Sequence, residues 1–188
     1  MGNWTGIFIF GCWLIFFLYW VANASNVKQN IEKRVSFKYI LLLSLVVAAV
    51  FIAMLYEKTF LQFSLWQTSS RLGAITDLVV LIGLIIAVWA RATLGRNWSG
   101  HITFKKGHRL IKHGPYSFVR HPIYSGMIIM LIGTALYIGQ VYAFVLLAAM
   151  FVGFIGKYRL EEELMLKHFS KEYKAYKKRV KAIVPYIF

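Results

Sequence analysis

Two polar blocks in the second half of the chain carry the side chains best suited to chemistry. The first block, residues 107–126, reads GHRLIKHGPYSFVRHPIYSG, and the second block, residues 157–163, reads KYRLEEE. Together they offer imidazole, phenol, ammonium and carboxylate groups, which hydrogen-bond or pair with charged and polar ligands. A long apolar run separates them. The two blocks can therefore share a site only if that run returns the chain to the side where it started.

Apolar runs identify the elements that position these blocks. The chain has 188 residues, of which 59% are hydrophobic and 15% charged, and this composition is typical of integral membrane proteins. A helix needs about 20 apolar residues to cross a bilayer. The apolar runs cover residues 4–23, 39–56, 73–90 and 126–156. The last run is too long for one crossing, so we predict a bend at Gly139 and Gln140. The prediction is an all-α membrane protein with five transmembrane helices, the last two forming a hairpin.

The first apolar run has the length of a signal peptide but lacks other features of one. No basic segment precedes residues 4–23, and no convincing small-residue cleavage site follows them. We predict that this run is a retained helix. It contains Cys12, the single cysteine of the sequence, so the sequence offers neither a disulfide framework nor a thiolate metal site.

The basic residues indicate membrane topology. The net charge is +15, but 20 of the 22 lysines and arginines lie in residues 25–38, 91–121 and 157–188. With five crossings these segments fall on one side of the membrane, which the positive-inside rule makes cytoplasmic. We therefore predict an external N-terminus, with the C-terminus and the functional site on the cytoplasmic side. The charge also favours contact with anionic membrane lipids, and a nucleic acid partner is not expected.

Two further elements are predicted on the cytoplasmic side. Residues 101–111, HITFKKGHRLI, alternate around a Lys-Gly turn and predict a short β-hairpin. Residues 160–180 place apolar side chains at near-helical spacing between lysines and glutamates. This pattern predicts a cytoplasmic amphipathic C-terminal helix, and residues 1–188 form a single membrane domain.

Taken singly, the polar residues of the two blocks have structural explanations. His121 precedes a proline, and a position at a helix cap or at the membrane interface explains it as well as a functional role does. Tyr116 and Tyr124 are typical of aromatic residues at a membrane interface. Lys157 and Glu161 are four residues apart, as in a helical salt bridge.

The histidines of the first block do not predict a metal site. His108, His113 and His121 lack the i, i+4 spacing of helical metal ligands, and no carboxylate is near them in sequence. We therefore expect no bound metal.

The order of residues across both blocks is more specific than any one residue. The pattern GHxLxxxGxYxxxRHPxY, an apolar hairpin, a basic residue, EEExL, FxxEYxxY and a final proline extends over residues 94–185. It resembles the isoprenylcysteine carboxyl methyltransferase family, whose relatives include phospholipid methyltransferases and other small membrane methyltransferases. The resemblance implies an integral membrane methyltransferase that uses S-adenosyl-L-methionine. It also implies that residues 93–188 form the cofactor-binding core, behind three N-terminal helices in residues 1–92.

The resemblance assigns roles to residues of both blocks. The basic residue Lys157, or Arg159 beside it, is expected to bind the acidic group of the substrate, and Glu161 completes the expected catalytic set. The family commonly has arginine at the position of Lys157. Asn97 and Trp98 also match family positions. The residues expected to contact the cofactor are His108, Leu110, Ile111, Tyr116, His121, Pro122, Ile123, Tyr124, Glu161 and Glu162.

The chemistry of the implied reaction agrees with these residue types. Aromatic faces suit the adenine ring and the sulfonium cation, and carboxylates suit the ammonium group and the ribose hydroxyls. The expected acceptor is the carboxylate of an isoprenylcysteine-like substrate that enters from the bilayer, although a lipid amine or a thiol would suit the same cofactor. A second hypothesis is an NADPH-dependent reductase of the sterol type, which the short chain disfavours. A third hypothesis is a lipid-binding scaffold without enzymatic activity.

Overall fold

Four α-helices make up most of the part of the chain that the structure describes. The computed structural model describes residues 4–25, 28–34, 44, 48, 60–99 and 101–185. The helices are α1 (Trp4–Ala22), α2 (Ser70–Leu94), α3 (Pro122–Ile138) and α4 (Val141–Arg179). Helices α1, α2 and α4 are long and apolar enough to cross a membrane, and α3 is a shorter apolar helix. Apart from residues 44 and 48, the helix predicted over residues 39–56 lies outside the described residues.

Helices α2 and α3 pack closely through glycines that face each other. A Cβ atom added to Gly126 would lie 2.6 Å from the carbonyl oxygen of Gly83, and a Cβ atom on Gly83 would lie 2.6 Å from that of Gly126. In a bilayer, small residues promote helix association because they let two backbones approach each other. This contact fixes the start of α3, where the first polar block ends.

The interior is divided between two apolar clusters. One joins α1, α2 and α3, and its buried members are Ile9, Cys12, Val80, Leu84 and Met130. The other joins α3 and α4 to the chain after α4, and its buried members are Tyr124, Ile128, Phe154, Tyr158, Ala182 and Ile183. The second cluster lies beside the polar blocks and anchors both of them.

The predicted bend between the last two apolar helices is confirmed. Helix α3 ends at Gly139, whose φ of 64° is in the left-handed region that favours glycine. Gln140 then precedes α4 in an extended conformation. The amide of Leu65 donates to the carbonyl oxygen of Gly139 at 2.7 Å and fixes the turn from outside. The hairpin returns the second polar block to the first.

The amphipathic segment predicted over residues 160–180 begins as the continuation of α4 and extends past a kink at Ser170, so α4 consists of two helical parts. Its 39 residues exceed the roughly 20 that cross a bilayer. Residues 157–169 contain no glycine or proline and are rich in helix-forming lysine, glutamate and leucine, so the helix does not end at the membrane. Its regular geometry is interrupted at Ser170, where φ is 33° and ψ is −101°.

The predicted β-hairpin within residues 101–111 is wrong. Strand β2 (Ile102–Lys105) forms, but it pairs antiparallel with β1 (Asn30–Arg34), which follows α1 in the chain. Gly107, with φ 62°, turns the chain after β2, and residues 108–113 are not a strand. The pairing joins segments about 70 residues apart, and local alternation carries no information about such a partner.

Candidate functional site

A cavity of about 410 Å³ lies where the two polar blocks meet. Both blocks line it, together with the ends of α1 and α2 and part of β2. One part of the wall is aromatic and apolar and includes Phe16, Trp20, Met127 and Phe154. The remaining part of the wall is polar and includes charged residues of the two blocks. A cavity of this size and mixed lining is typical of a small-molecule site.

Glu161 provides a carboxylate to the polar part of the cavity. The hydroxyl of Tyr124 donates to its Oε1 at 2.7 Å, and Nδ1 of His121 lies 3.5 Å from its Oε2. Lys157, one helical turn earlier, places its ammonium 5.6 Å from the centroid of the Tyr124 ring. These residues come from both polar blocks, so the hairpin assembles one site from two distant segments.

The neighbouring carboxylate of Glu162 does not line the cavity and belongs to a buried ionic network. Its side chain is only 3% exposed, and Nε and a terminal nitrogen of Arg120 lie 2.6 Å from its Oε1. The ammonium of Lys177 lies 2.6 Å from its Oε2. Buried charges are costly unless they are paired, so this network is a structural support for the Arg120 side of the site.

His121 connects the two carboxylates. Its Nε2 lies 3.4 Å from Oε1 of Glu162, while its Nδ1 faces Glu161. Burial lowers the pKa of His121, but the hydrogen bonds and charges of Glu161 and Glu162 outweigh that effect, and the pKa is raised overall. The raised pKa favours the imidazolium form, in which both ring nitrogens are donors. His121 thereby links the carboxylate of Glu161, at the cavity, to the carboxylate of Glu162, in the buried network.

The chain after α4 holds the first block in place. The amides of Arg120 and His121 donate to the carbonyl oxygens of Lys181 and Ala182, at 2.8 and 2.9 Å. The guanidinium of Arg120 also donates to the carbonyl oxygen of Val180. The residues that present His121 are therefore fixed by backbone contacts as well as by charge.

Tyr116 lies between α2 and α4 and contacts both helices. It is 7% exposed, lies in the 3-10 turn Gly114–Ser117, and its hydroxyl lies 3.4 Å from the carbonyl oxygen of Ala90. Its own carbonyl oxygen accepts a hydrogen bond from the hydroxyl of Tyr176 at 2.5 Å. Tyr116 and Tyr176 both line the cavity.

The strands attach to α4 through an aromatic stack. The Phe104 ring of β2 lies 3.6 Å, centroid to centroid, from His168 and 5.0 Å from His108, nearly parallel to both. Glu32 of β1 accepts from Lys167 at 2.8 Å and lies 3.1 Å from Nε2 of His168. The stack thus joins His108, which lines the cavity, to β2 and α4.

Comparison with known proteins identifies the family. Residues 75–168, half of the chain, match the sequence profile of the isoprenylcysteine carboxyl methyltransferase (ICMT) family. The chain belongs to the ICMT family. The matched range includes both polar blocks and the hairpin between them, so the family signature coincides with the cavity.

Two curated relatives are similar over more than half of the chain. A probable protein-S-isoprenylcysteine O-methyltransferase of Oryza sativa subsp. indica is 33% identical over 112 residues, covering 58% of this chain and 59% of the relative. The protein-S-isoprenylcysteine O-methyltransferase of Saccharomyces cerevisiae is 34% identical over 113 residues, covering 58% of this chain and 47% of the relative. The chain therefore spans only about half of the length of these relatives.

A solved structure supports the fold. The eukaryotic intramembrane Ras methyltransferase ICMT matches with a TM-score of 0.53 and 24% sequence identity, over 82% of this chain and 54% of that one. Together with the apolar helices, this match indicates an ICMT-like, mostly helical, multi-pass membrane protein.

Most residues that the family resemblance assigned to the site line the cavity. Those at the cavity wall are His108, Leu110, Ile111, Tyr116, His121, Ile123, Tyr124, Lys157 and Glu161. Three others are not among the lining residues. Pro122 is buried at the start of α3, Glu162 lies in the ionic network, and Arg159 is exposed. Of the two basic residues considered for the substrate, Lys157 is the one at the cavity.

Some residues that line the cavity are not among the residues predicted from the sequence. Trp20 and Phe16 are on α1, where the sequence indicates only an apolar helix and gives no signal of a site. Arg120 lies within the family pattern, so its position was a usable signal. Tyr173 and Tyr176 belong to the apolar positions of the amphipathic pattern over residues 160–180, and they are buried and line the cavity. Their place in the pattern FxxEYxxY was the available signal.

Proposed function

We propose that this chain is an S-adenosylmethionine-dependent membrane methyltransferase that acts on the carboxylate of a lipophilic, isoprenylcysteine-like acceptor. The observation that carries the proposal is that the two polar blocks of the ICMT pattern line one cavity beneath an apolar hairpin. The names of the relatives, protein-S-isoprenylcysteine O-methyltransferases, support the same activity.

The residues at the cavity suit S-adenosylmethionine chemically. Glu161 supplies a carboxylate for an ammonium group, oriented by Tyr124 and His121. Tyr116 and Tyr124 line the cavity, and aromatic rings of this kind stabilise a cation or stack on a planar base. When bound, S-adenosylmethionine supplies an electrophilic methyl group on a sulfonium cation. Glu161 and Tyr124 would hold the cofactor.

Lys157 is the residue proposed to orient the acceptor. Its ammonium lies at the cavity near Tyr124, on the turn of α4 before Glu161. A carboxylate is ionised near neutral pH, since its pKa is about 4, and it needs no general base to act as a nucleophile. The chain therefore contributes positioning and exclusion of water. An ammonium is a point charge and imposes less orientation on a carboxylate than a bidentate arginine.

The apolar wall suits the hydrocarbon part of the acceptor. Phe16, Met127 and Phe154 line the cavity from three different helices of the apolar bundle. Because α1 and α2 share the cavity with later elements, we treat residues 1–188 as one domain, with residues 93–188 supplying most of the core. The distribution of basic residues supports a cytoplasmic site and C-terminus and an external N-terminus.

A screen of methyl acceptors tests the proposal. The purified protein in detergent micelles is incubated with methyl-labelled S-adenosylmethionine and N-acetyl-S-farnesylcysteine, phosphatidylethanolamine or a long-chain thiol. We expect label in the farnesylcysteine compound and none in its methyl ester, whose carboxylate is blocked. Label in the amine or the thiol alone would contradict the carboxylate acceptor while leaving the methyltransferase assignment intact.

A further inference from the structure

The segment that follows α1 is bonded to the part of the chain that leads into the first polar block. The amide of Lys28 donates to the carbonyl oxygen of Arg96 at 3.0 Å, and the amide of Lys106 donates to that of Gln29 at 3.0 Å. Strands β1 and β2 continue this pairing. The N-terminal partner lies outside the ICMT match of residues 75–168. A part of the chain without family signature thus supports the cavity wall.

Lys28 contacts both ends of the loop that carries β2. Its ammonium donates to Oδ1 of Asn97 at 2.8 Å and to the carbonyl oxygen of Gly107 at 2.6 Å. Asn97 lines the cavity, and Gly107 precedes His108, which also lines it. The Lys28 side chain thereby links residues 97 and 107, at the two ends of the loop next to the cavity.

The contact with Lys28 decides which end of the Asn97 amide is available to a ligand. An ammonium only donates hydrogen bonds, so the Asn97 atom that faces it is the carbonyl oxygen. Lys28 therefore engages the oxygen, and the NH2 group, which this contact does not use, is the donor that Asn97 carries at the cavity wall. A ligand bound beside Asn97 is expected to present a hydrogen-bond acceptor.

Arg91 fixes the residue next to Asn97 in a comparable way. It is 2% exposed and donates to the carbonyl oxygens of Asn23 and Gly95, each at 2.9 Å. Its guanidinium carbon lies 4.4 Å from the centroid of the Trp98 ring. Trp98 in turn contacts Trp20 edge to face at a centroid distance of 6.3 Å, and both line the cavity. The end of α1 and the segment that follows it thus contact the elements that hold two adjacent wall residues, Asn97 and Trp98.

We infer that Asn97 is a specificity-determining residue that donates a hydrogen bond to an acceptor atom of the molecule bound in this cavity, and that Lys28 is its positioning residue. The inference rests on the proposed function, because that function supplies the two molecules concerned. The acceptor atom belongs either to the cofactor or to the carboxylated substrate. The chemistry is the same in both cases, and binding and kinetic measurements separate them.

Asn97→Asp is the sharpest test. Aspartate has nearly the same shape and still accepts from Lys28, but it replaces the NH2 donor by an oxygen that repels an acceptor. We expect at least a tenfold loss of affinity for the ligand partner, as for a hydrogen bond lost within a binding site. The affinity for S-adenosylhomocysteine is measured by calorimetry, and the KM and kcat for N-acetyl-S-farnesylcysteine with labelled S-adenosylmethionine.

Lysine variants test the positioning role without changing the cavity wall. Lys28→Met removes the donor that orients Asn97. It is expected to change the same binding or kinetic constant as Asn97→Asp, but by a smaller factor. Lys28→Arg retains a donor, so its constants are expected to be close to those of the wild type. Lys106→Met is the matched control, because Lys106 is an exposed lysine of the same loop that does not line the cavity. It is expected to bind and turn over like the wild type.

The outcomes separate this inference from the function on which it rests. Weaker binding of S-adenosylhomocysteine by Asn97→Asp places the acceptor atom on the cofactor, and a raised KM at unchanged cofactor affinity places it on the substrate. Wild-type values for Asn97→Asp in both measurements would overturn the inference alone. A wild-type protein that does not bind S-adenosylhomocysteine would overturn the proposed function and this inference with it.

Discussion

Glu161→Gln is expected to weaken binding of S-adenosylhomocysteine about a hundredfold and to reduce turnover by at least as much. Glutamine keeps the shape of the side chain but removes the charge that Tyr124 and His121 orient at the cavity. Hydrogen bonds that involve a charged group contribute about 1.5–3 kcal/mol each, and 1.4 kcal/mol corresponds to a factor of ten in affinity. Calorimetric titration with S-adenosylhomocysteine measures the first effect, and labelled methyl transfer measures the second.

Glu163→Gln is the control for this substitution. Glu163 carries the same charge two residues further along α4, but it is exposed and does not line the cavity. We expect it to bind like the wild type, which would separate a local effect from a change in the overall charge. Affinity of Glu161→Gln within threefold of the wild type would show that this carboxylate does not hold the ligand.

Gly126→Ala is expected to lower the free energy of unfolding by about 3 kcal/mol, at the upper end of the range for overpacking. The added Cβ atom would lie 2.6 Å from the carbonyl oxygen of Gly83 and 2.7 Å from the amide nitrogen of Ala87. Both are backbone atoms of α2, so no side chain can rotate away and the helices must separate. Unfolding by a denaturing detergent, followed by circular dichroism, measures the change.

Gly153→Ala provides the matched control for the helix interface. Gly153 is on α4, and a Cβ atom added there meets nothing within 4 Å among the described residues. Alanine favours a helix by up to about 1 kcal/mol relative to glycine, so this variant is expected to be as stable as the wild type or more stable. The two substitutions should thus have different effects. Equal stability of Gly126→Ala and the wild type would contradict the close packing of α2 and α3.

Sequence alone predicted the parts of the fold that depend on local chemistry. A glycine followed by a polar residue within an apolar run marks the bend at Gly139, because only glycine adopts a left-handed cap without strain. Most of the residues that the family pattern assigned to the site likewise line the cavity. These predictions depended on hydrophobicity, turn chemistry and residue order, which can be determined from the sequence without knowledge of tertiary contacts.

Other features depend on packing that local sequence does not specify. Adjacent helical residues point about 100° apart, so Glu161 and Glu162 have different surroundings, and the sequence does not say which of them lines the cavity. The structure resolves this through Arg120, which pairs with Glu162 from the other polar block. The pairing of β1 with β2 and the contribution of Trp20 to the cavity wall also join distant segments. No periodicity within either segment indicates its partner.

The measurement that tests the central proposal most directly is a ligand titration of the purified wild-type protein. Thermal unfolding in detergent is followed at increasing concentrations of S-adenosylmethionine, S-adenosylhomocysteine and NADPH, because a ligand that binds only the folded state raises the Tm with its concentration. We expect saturable stabilisation by the first two compounds, none by NADPH, and loss of the effect in Glu161→Gln. Stabilisation by NADPH alone would contradict the methyltransferase assignment and favour a reductase.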